Sequence, residues 1–376
     1  TACLAVCLWL RVNRTAVMAG ILLVLAAAYA LAFPPGQTPD EQNHFLRAYE
    51  VATGGLISRH MEPDGVGGNV LPAALKRFHD PAAVIDDADS ETMRYGNTAL
   101  YSPVSYLPQA LGIRAALLFT HRTQTVFYAG RAANALIGVV LCALALQMIP
   151  FGKELLFLVL TFPVTGQEIG SMSPDGFTIA VSALFIALAL RLAYTDAPIK
   201  RGFIALCVLG AVVSQCKIVY IVLLLLVLLI PNARFGGKKQ AWLCKGGLLA
   251  GAAVLNLAWL AVSAGYLVEF NPGVSSMEQA KYVLTHIPSY ALVCLRTAYS
   301  NLVVWIECSI AQNMGPLTVP VQRLVPLGFY TLTLYALLNT SCGARRLDLR
   351  AGLVLGGTFL LGAALILVGF LLARKD

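Results

Sequence analysis

The chain has 376 residues, 58% of them hydrophobic and 12% charged, with a formal net charge of +8. A soluble domain carries roughly 25% charged residues and about 45–50% apolar ones, so disorder, a secreted disulfide scaffold and a soluble enzyme are excluded. Residues 34–103 hold 10 of the 19 acids but only 5 of the 27 Lys and Arg, so this stretch is net −5 inside a basic chain.

A membrane-spanning helix needs about 20 apolar residues, roughly 17–25. The apolar start Thr1–Leu10 reads as a partial helix, and the chain as a piece truncated at its C-terminus and at its N-terminus. Spans are expected at 15–33, 126–149, 154–172, 176–194, 242–265, 324–340 and 351–373. Residues 202–231 split at Lys217 into two short halves, which makes nine. Cytoplasmic loops collect Lys and Arg, which sets Arg11/Arg14, Lys153, Lys200/Arg201, Arg234/Lys238/Lys239 and Arg345/Arg346/Arg350 on the cytoplasmic side. Counting crossings then lays 104–120, with Pro108, Gly112 and Arg114, along the outer surface. It also makes 285–311, with Pro288, Arg296, Asn301 and Glu307, interfacial or re-entrant.

The expected architecture is an all-α polytopic membrane protein, one integral membrane domain over 1–376. A first outer loop, 34–125, carries interfacial helices, and a second outer segment spans 266–323. Bases in short loops between apolar runs suit anionic membrane lipid and orientation rather than nucleic acid. The nine cysteines include no C-x-x-C pair and read as small buried hydrophobes.

Candidate polar sites follow in chain order. Thr38, Pro39 and Glu41 form a T-x-x-E capping box that starts a helix, and Gly54–Gly55 stop it. Asp40, His44 and Arg47 are spaced i, i+4, i+7 and share one helical face; acids in a first turn also serve the helix dipole without any chemistry. Asp87-x-Asp89 has a spacing that holds a divalent cation, or is a solvated acidic turn. Arg94, Tyr95 and Tyr101 either meet a lipid headgroup or anchor at the interface. Arg131 and Asn134 are polar groups on an apolar helix, and snorkelling accounts for the arginine. Glu168 falls inside an apolar run, and Asp175 is either an N-cap or a functional acid. Lys217, between two short spans, requires an anionic partner, which is a phosphate or a loop acid.

Pro39-Asp40-Glu41-x-x-His44-Phe45 after the first span resembles the predicted membrane proteins of domain-of-unknown-function family 2142. So do Leu100-Tyr101-Ser102-Pro103, Tyr106-Leu107-Pro108-Gln109, Gly130-Arg131-x-x-Asn134, Ser173-x-Asp175 and the Lys217 segment. That family is similar in layout to the GT-C glycosyltransferases, such as the bacterial aminoarabinose transferase and the protein mannosyltransferases. The resemblance implies a GT-C-like bundle that transfers a sugar from a polyprenyl-phosphate donor to a glycan, lipid or protein acceptor at the outer face. It implies Asp40 as the general base, with Glu41 and His44 orienting the acceptor or holding a cation. Lys217, Arg94 and Arg131 would neutralise the donor phosphate, with Asp175, Arg47 and Tyr101 nearby. Relatives of this layout differ in whether a divalent metal takes part. The mannosyltransferase group carries Lys-Pro-Pro before its Leu-Tyr-Tyr, where this chain has Asn97-Thr98-Ala99 before Leu100-Tyr101-Ser102. Two other readings stay open from the residues: a transporter with a broken-helix site at 202–231, and a non-catalytic scaffold for envelope polysaccharide assembly.

Overall fold

In the computed structural model, residues 13–63, 65–266, 276–311, 313–339 and 348–372 are described. The apolar start 1–10, Arg11, the bases Arg345 and Arg346, and part of the 266–323 segment lie outside them. Helix α1 (Arg14–Ala32) buries Met18, Leu22, Ala26 and Ala30, a stripe that recurs every four residues and packs on α5 (Thr123–Met148). Between them, the loop carries α2 (Glu41–Ala52), strands β1 (Arg59–Met61), β2 (Val66–Pro72) and β3 (Ser90–Arg94), the single turn α3 (Gly96–Ala99) and α4 (Leu107–Leu117). After α5 come α6 (Lys153–Leu160), α7 (Pro163–Ile169), α8 (Asp175–Tyr194) and α9 (Ile199–Cys216). A 3-10 segment, Ile218–Leu229, leads to α10 (Lys238–Ser263), α11 (Ser276–Thr285), α12 (Ile287–Ile310), the hairpin β4 (Asn313–Met314)–β5 (Val319–Pro320), α13 (Leu324–Asn339) and α14 (Leu349–Leu372).

Among the described residues, seven helices are long and apolar enough to cross a membrane: α1, α5, α8, α9, α10, α12 and α14. The chain is thus a mostly helical, multi-pass membrane protein. Helix α8 is central, buried over 72% of its apolar window, as expected of a helix apolar on every side. The run 154–172 joins the two ends of the bundle as two short helices rather than one continuous helix. Pro163 starts α7 and lacks the N–H that would continue α6. The run 285–311, expected as interfacial or re-entrant, is one continuous helix, α12, of 24 residues. Pro288 falls in its first turn, where a missing N–H costs nothing.

The loop also holds a three-stranded antiparallel sheet in the order β1-β2-β3, with Gly68 opposite both Arg59 and Arg94. The sequence reading included no strands. Beneath the sheet lies an aromatic core in which Phe127 of α5 meets Phe45 edge-on at 5.2 Å and stacks on Phe78 at 4.9 Å. Helix α4 lies directly on α5 because Gly112 has no side chain; a Cβ there would run into the Ala129 carbonyl and the Ala133 methyl.

The helices give the bundle two chemically different ends. Asp175 begins α8, and the chain returns along α9 to Lys217, so both sit at the loop-bearing end. At the other end, Arg234 donates to the Thr195 and Ala197 carbonyls, and Arg350 donates to Leu228 O at 2.6 Å. Lys245 donates to Ile230 O at 2.6 Å and to Asn232 at 2.8 Å, and Lys153 reaches the Thr15 hydroxyl at 3.2 Å. Cations on the last carbonyls of helical segments compensate their negative end.

Candidate functional site

The site is built on one buried ion pair. Arg131, one to two turns into α5, is 1% exposed, and so is Glu41 at the start of α2. The guanidinium grips the carboxylate through Nε at 2.8 Å and NH2 at 2.7 Å. Its other donors go to the carbonyls of Ala30 (2.8 Å), Phe33 (2.7 Å) and Pro34 (3.2 Å), which close the end of α1. Glu41 also accepts from the amides of Gly36 (2.9 Å) and Met172 (3.1 Å). Two residues expected on different sides of a reaction are therefore joined to each other. Neither the snorkelling arginine nor the capping box holds. The helix begins at Glu41, and Asp40 precedes it in the left-handed region (φ 53°, ψ 17°).

The short turn that delivers Asp175 is held from below. Asn134 Nδ2 donates to the carbonyls of Ser171 (2.9 Å) and Ser173 (3.2 Å), and Gln109 Nε2 to that of Ser173 (3.0 Å). Gln109 had no role on sequence grounds beyond its place in a motif. The signal for it is a polar amide in an otherwise apolar helix. One turn before, the Glu168 carbonyl accepts from the Ser171 hydroxyl at 3.1 Å.

Held this way, Asp175 meets Lys217. Both carboxylate oxygens lie on the ammonium, at 2.7 and 2.9 Å, with the side chains 36% and 29% exposed. The Tyr101 ring faces the same ammonium at 5.6 Å. His44 sits between Tyr101 and Tyr106, with ring centroids 6.2 and 5.9 Å away, and its Nδ1 shares a 2.7 Å hydrogen bond with the Tyr106 hydroxyl. Burial lowers the His44 pKa to about 4; Asp175 pulls it up and Lys217 pushes it down. Burial also raises the Tyr101 and Tyr106 hydroxyls, with the charges of Asp175 and Asp40 adding to it. Asp40 is solvent-exposed and in electrostatic reach of both tyrosines. Four expected residues therefore converge, His44, Tyr101, Asp175 and Lys217, with Asp40 exposed at the same end.

Beside this cluster runs a groove of about 760 Å³. Lys217 and Tyr101 line it, and Ile218, Val219, Trp259, Leu260, Leu365 and Ile366 are among its apolar walls. Its shape depends on α10, whose Trp259 donates to Leu100 O at 2.8 Å and whose Asn256 donates to Ser214 O at 3.0 Å.

The other expected residues lie elsewhere. Arg47 is fully buried and pairs with Glu50 at 2.5 Å, with further bonds to the carbonyls of Leu56 (2.8 Å) and Tyr101 (3.5 Å). Glu50 in turn accepts from Ser58 (2.7 Å) and Asn69 (2.9 Å), so Arg47 ties the loop together rather than presenting charge to a ligand. Arg94 is exposed on β3, donates to the Glu62 carbonyl and does not line the groove. Asp87 and Asp89 are exposed in a turn in which Asp86 accepts from the Ala88 amide. Among the described residues, no group of three or more His, Cys, Asp or Glu side chains is placed to hold a metal ion.

A multi-pass helical bundle, with charge gathered at one end beside an apolar groove, defines a polytopic membrane protein. The chain belongs to the family described as "Predicted membrane protein (DUF2142)", which matches residues 22–374. No curated protein and no solved structure matches the chain.

Proposed function

We propose that the protein is a glycosyltransferase of the cytoplasmic membrane. It moves a sugar from a polyprenyl-phosphate donor to an envelope glycan, lipid or protein acceptor on the outer face. The observation that carries this reading is the position of Lys217, which lines the apolar groove and also contacts the Asp175 carboxylate. A lipid phosphate has that composition: a long apolar chain ending in an anion.

In this reading the chain of the donor lies in the groove and its phosphate meets Lys217. Asp40 takes the proton of the acceptor hydroxyl as that oxygen bonds to the anomeric carbon. The bond from that carbon to the phosphate oxygen breaks with inversion, and the electron pair leaves with the phosphate. A leaving phosphate needs positive charge rather than an acid, which a lysine supplies. His44, kept neutral by burial, is a hydrogen-bonding partner for the acceptor with Tyr106 behind it. Glu41 and Arg131 act as positioning residues, because they fix the start of α2 and the turn before Asp175. The acid-rich loop at one end and the capping bases at the other support an outer placement of the loop.

The test is transfer of labelled sugar from polyprenyl phosphate in membranes carrying the full chain or its Asp40→Asn variant. Loss of a general base costs about 10²–10⁴-fold, so the variant should lose transfer by at least about 10²-fold. Equal transfer by both removes Asp40 as the base, and no transfer by either removes the reading.

A further inference from the structure

Three carboxylates, Asp40, Glu168 and Asp175, act on the groups around one ammonium, Lys217, at the loop-bearing end, and burial keeps His44 neutral there. As it stands the cluster is net negative, a poor seat for an anion. Both oxygens of Asp175 already lie on Lys217, at 2.7 and 2.9 Å. A phosphate arriving from the groove would meet an ammonium whose charge is already compensated, and a second anion at ion-pair distance. We infer that Asp175 is a built-in occupant of the phosphate seat, and that a phosphate binds Lys217 by displacing it. This rests on the reading of Lys217 as the phosphate contact and adds how that contact is regulated.

The geometry says which partner moves. Asp175 is the first residue of a 20-residue helix, with its amide held by the Ser173 hydroxyl at 3.1 Å and its side chain 36% exposed. The positive end of that helix stabilises the carboxylate without Lys217, and water can reach it. Oδ1 is buried and, among the described residues, takes no hydrogen bond beyond its contact with Lys217. The rest of the carboxylate is open, so release exchanges the Lys217 contact for water and the helix end. Lys217 stays in place beneath the Tyr101 ring and at the mouth of the groove. The carboxylate so acts as a stand-in for the donor phosphate, holding the ammonium in place until a phosphate replaces it.

The experiment measures binding of a polyprenyl monophosphate, and separately of inorganic phosphate, to the full chain in nanodiscs. Wild type is compared with Asp175→Asn, Asp175→Ala and Lys217→Gln. Removing the competing anion should tighten polyprenyl monophosphate by about tenfold or more in both Asp175 variants. Lys217→Gln should weaken it by about tenfold relative to wild type. The thermal midpoint with and without the lipid gives a second readout, and its rise should be larger in the Asp175 variants. If wild type binds through Lys217 but neither Asp175 variant binds more tightly, the displacement is refuted and the phosphate contact stands. If neither wild type nor the variants bind any phosphate, the phosphate reading itself falls. Inorganic phosphate binding as tightly as the lipid, and gaining equally from Asp175→Asn, would support the exchange while removing the lipid donor.

Discussion

Single charged residues carry unusual weight here because only 12% of the chain is charged. His44 illustrates what burial does to one of them. Its folded pKa is about 4, against an unperturbed value near 6.5. Between these values the unfolded chain takes up a proton that the folded chain refuses, so folding weakens as pH falls through that window. The stabilisation is complete above about pH 6.5, and its loss on reaching about pH 4 is at most about 3 kcal/mol. Thermal unfolding in detergent from about pH 7.5 to about pH 4.5 should show a falling midpoint in wild type and a shallower fall in His44→Gln. Parallel curves would mean that His44 does not set the acid sensitivity.

At the scale of elements, Glu41 and Arg131 tie α1, α2, α5 and the turn before α8 with a single ion pair. Removing one partner of a buried pair leaves the other charge uncompensated and costs about 3–5 kcal/mol. Glu41→Leu should lower the unfolding midpoint sharply, whereas Asp40→Asn, one residue earlier and exposed, should barely move it. Comparable shifts for the two would show that Arg131 finds another partner. The sequence made Arg131 conspicuous, since an arginine in an apolar run needs a reason, and marked Glu41 as a capping residue. It did not say that Glu41 and Arg131 answer each other, because their pairing spans 90 positions and depends on the packing of α1 on α5. The apolar helices themselves were legible from hydropathy alone. Hydropathy alone does not say whether α12 crosses the bilayer or lies along it, because Arg296, Asn301 and Glu307 interrupt its apolar run. The small sheet left no alternating pattern to read, since β2 contains Gly67, Gly68 and Pro72.

For the whole molecule, the separation of charge serves two purposes at once. Arg234, Lys245 and Arg350 satisfy carbonyls at the ends of helical segments, and together they make that end of the bundle basic. The opposite end collects the acids of the loop and keeps Lys217 as a cation beside the groove. Membrane insertion holds Lys- and Arg-rich short loops on the cytoplasmic side, so an orientation follows from the same residues that cap the helices. Asp87, exposed in the loop, and Lys239, exposed at the start of α10, should then face opposite sides of the membrane. Single cysteines at these two positions, in a chain whose nine native cysteines are replaced, can be probed with a membrane-impermeant maleimide. Intact cells should label Asp87→Cys and spare Lys239→Cys, and permeabilised cells should label both. The reverse pattern would put the groove and its lysine on the cytoplasmic side, where an outer-face donor could not reach them. Labelling of both in intact cells would replace the odd number of crossings between the two positions by an even one, with the capping bases no longer the signal that sets the topology.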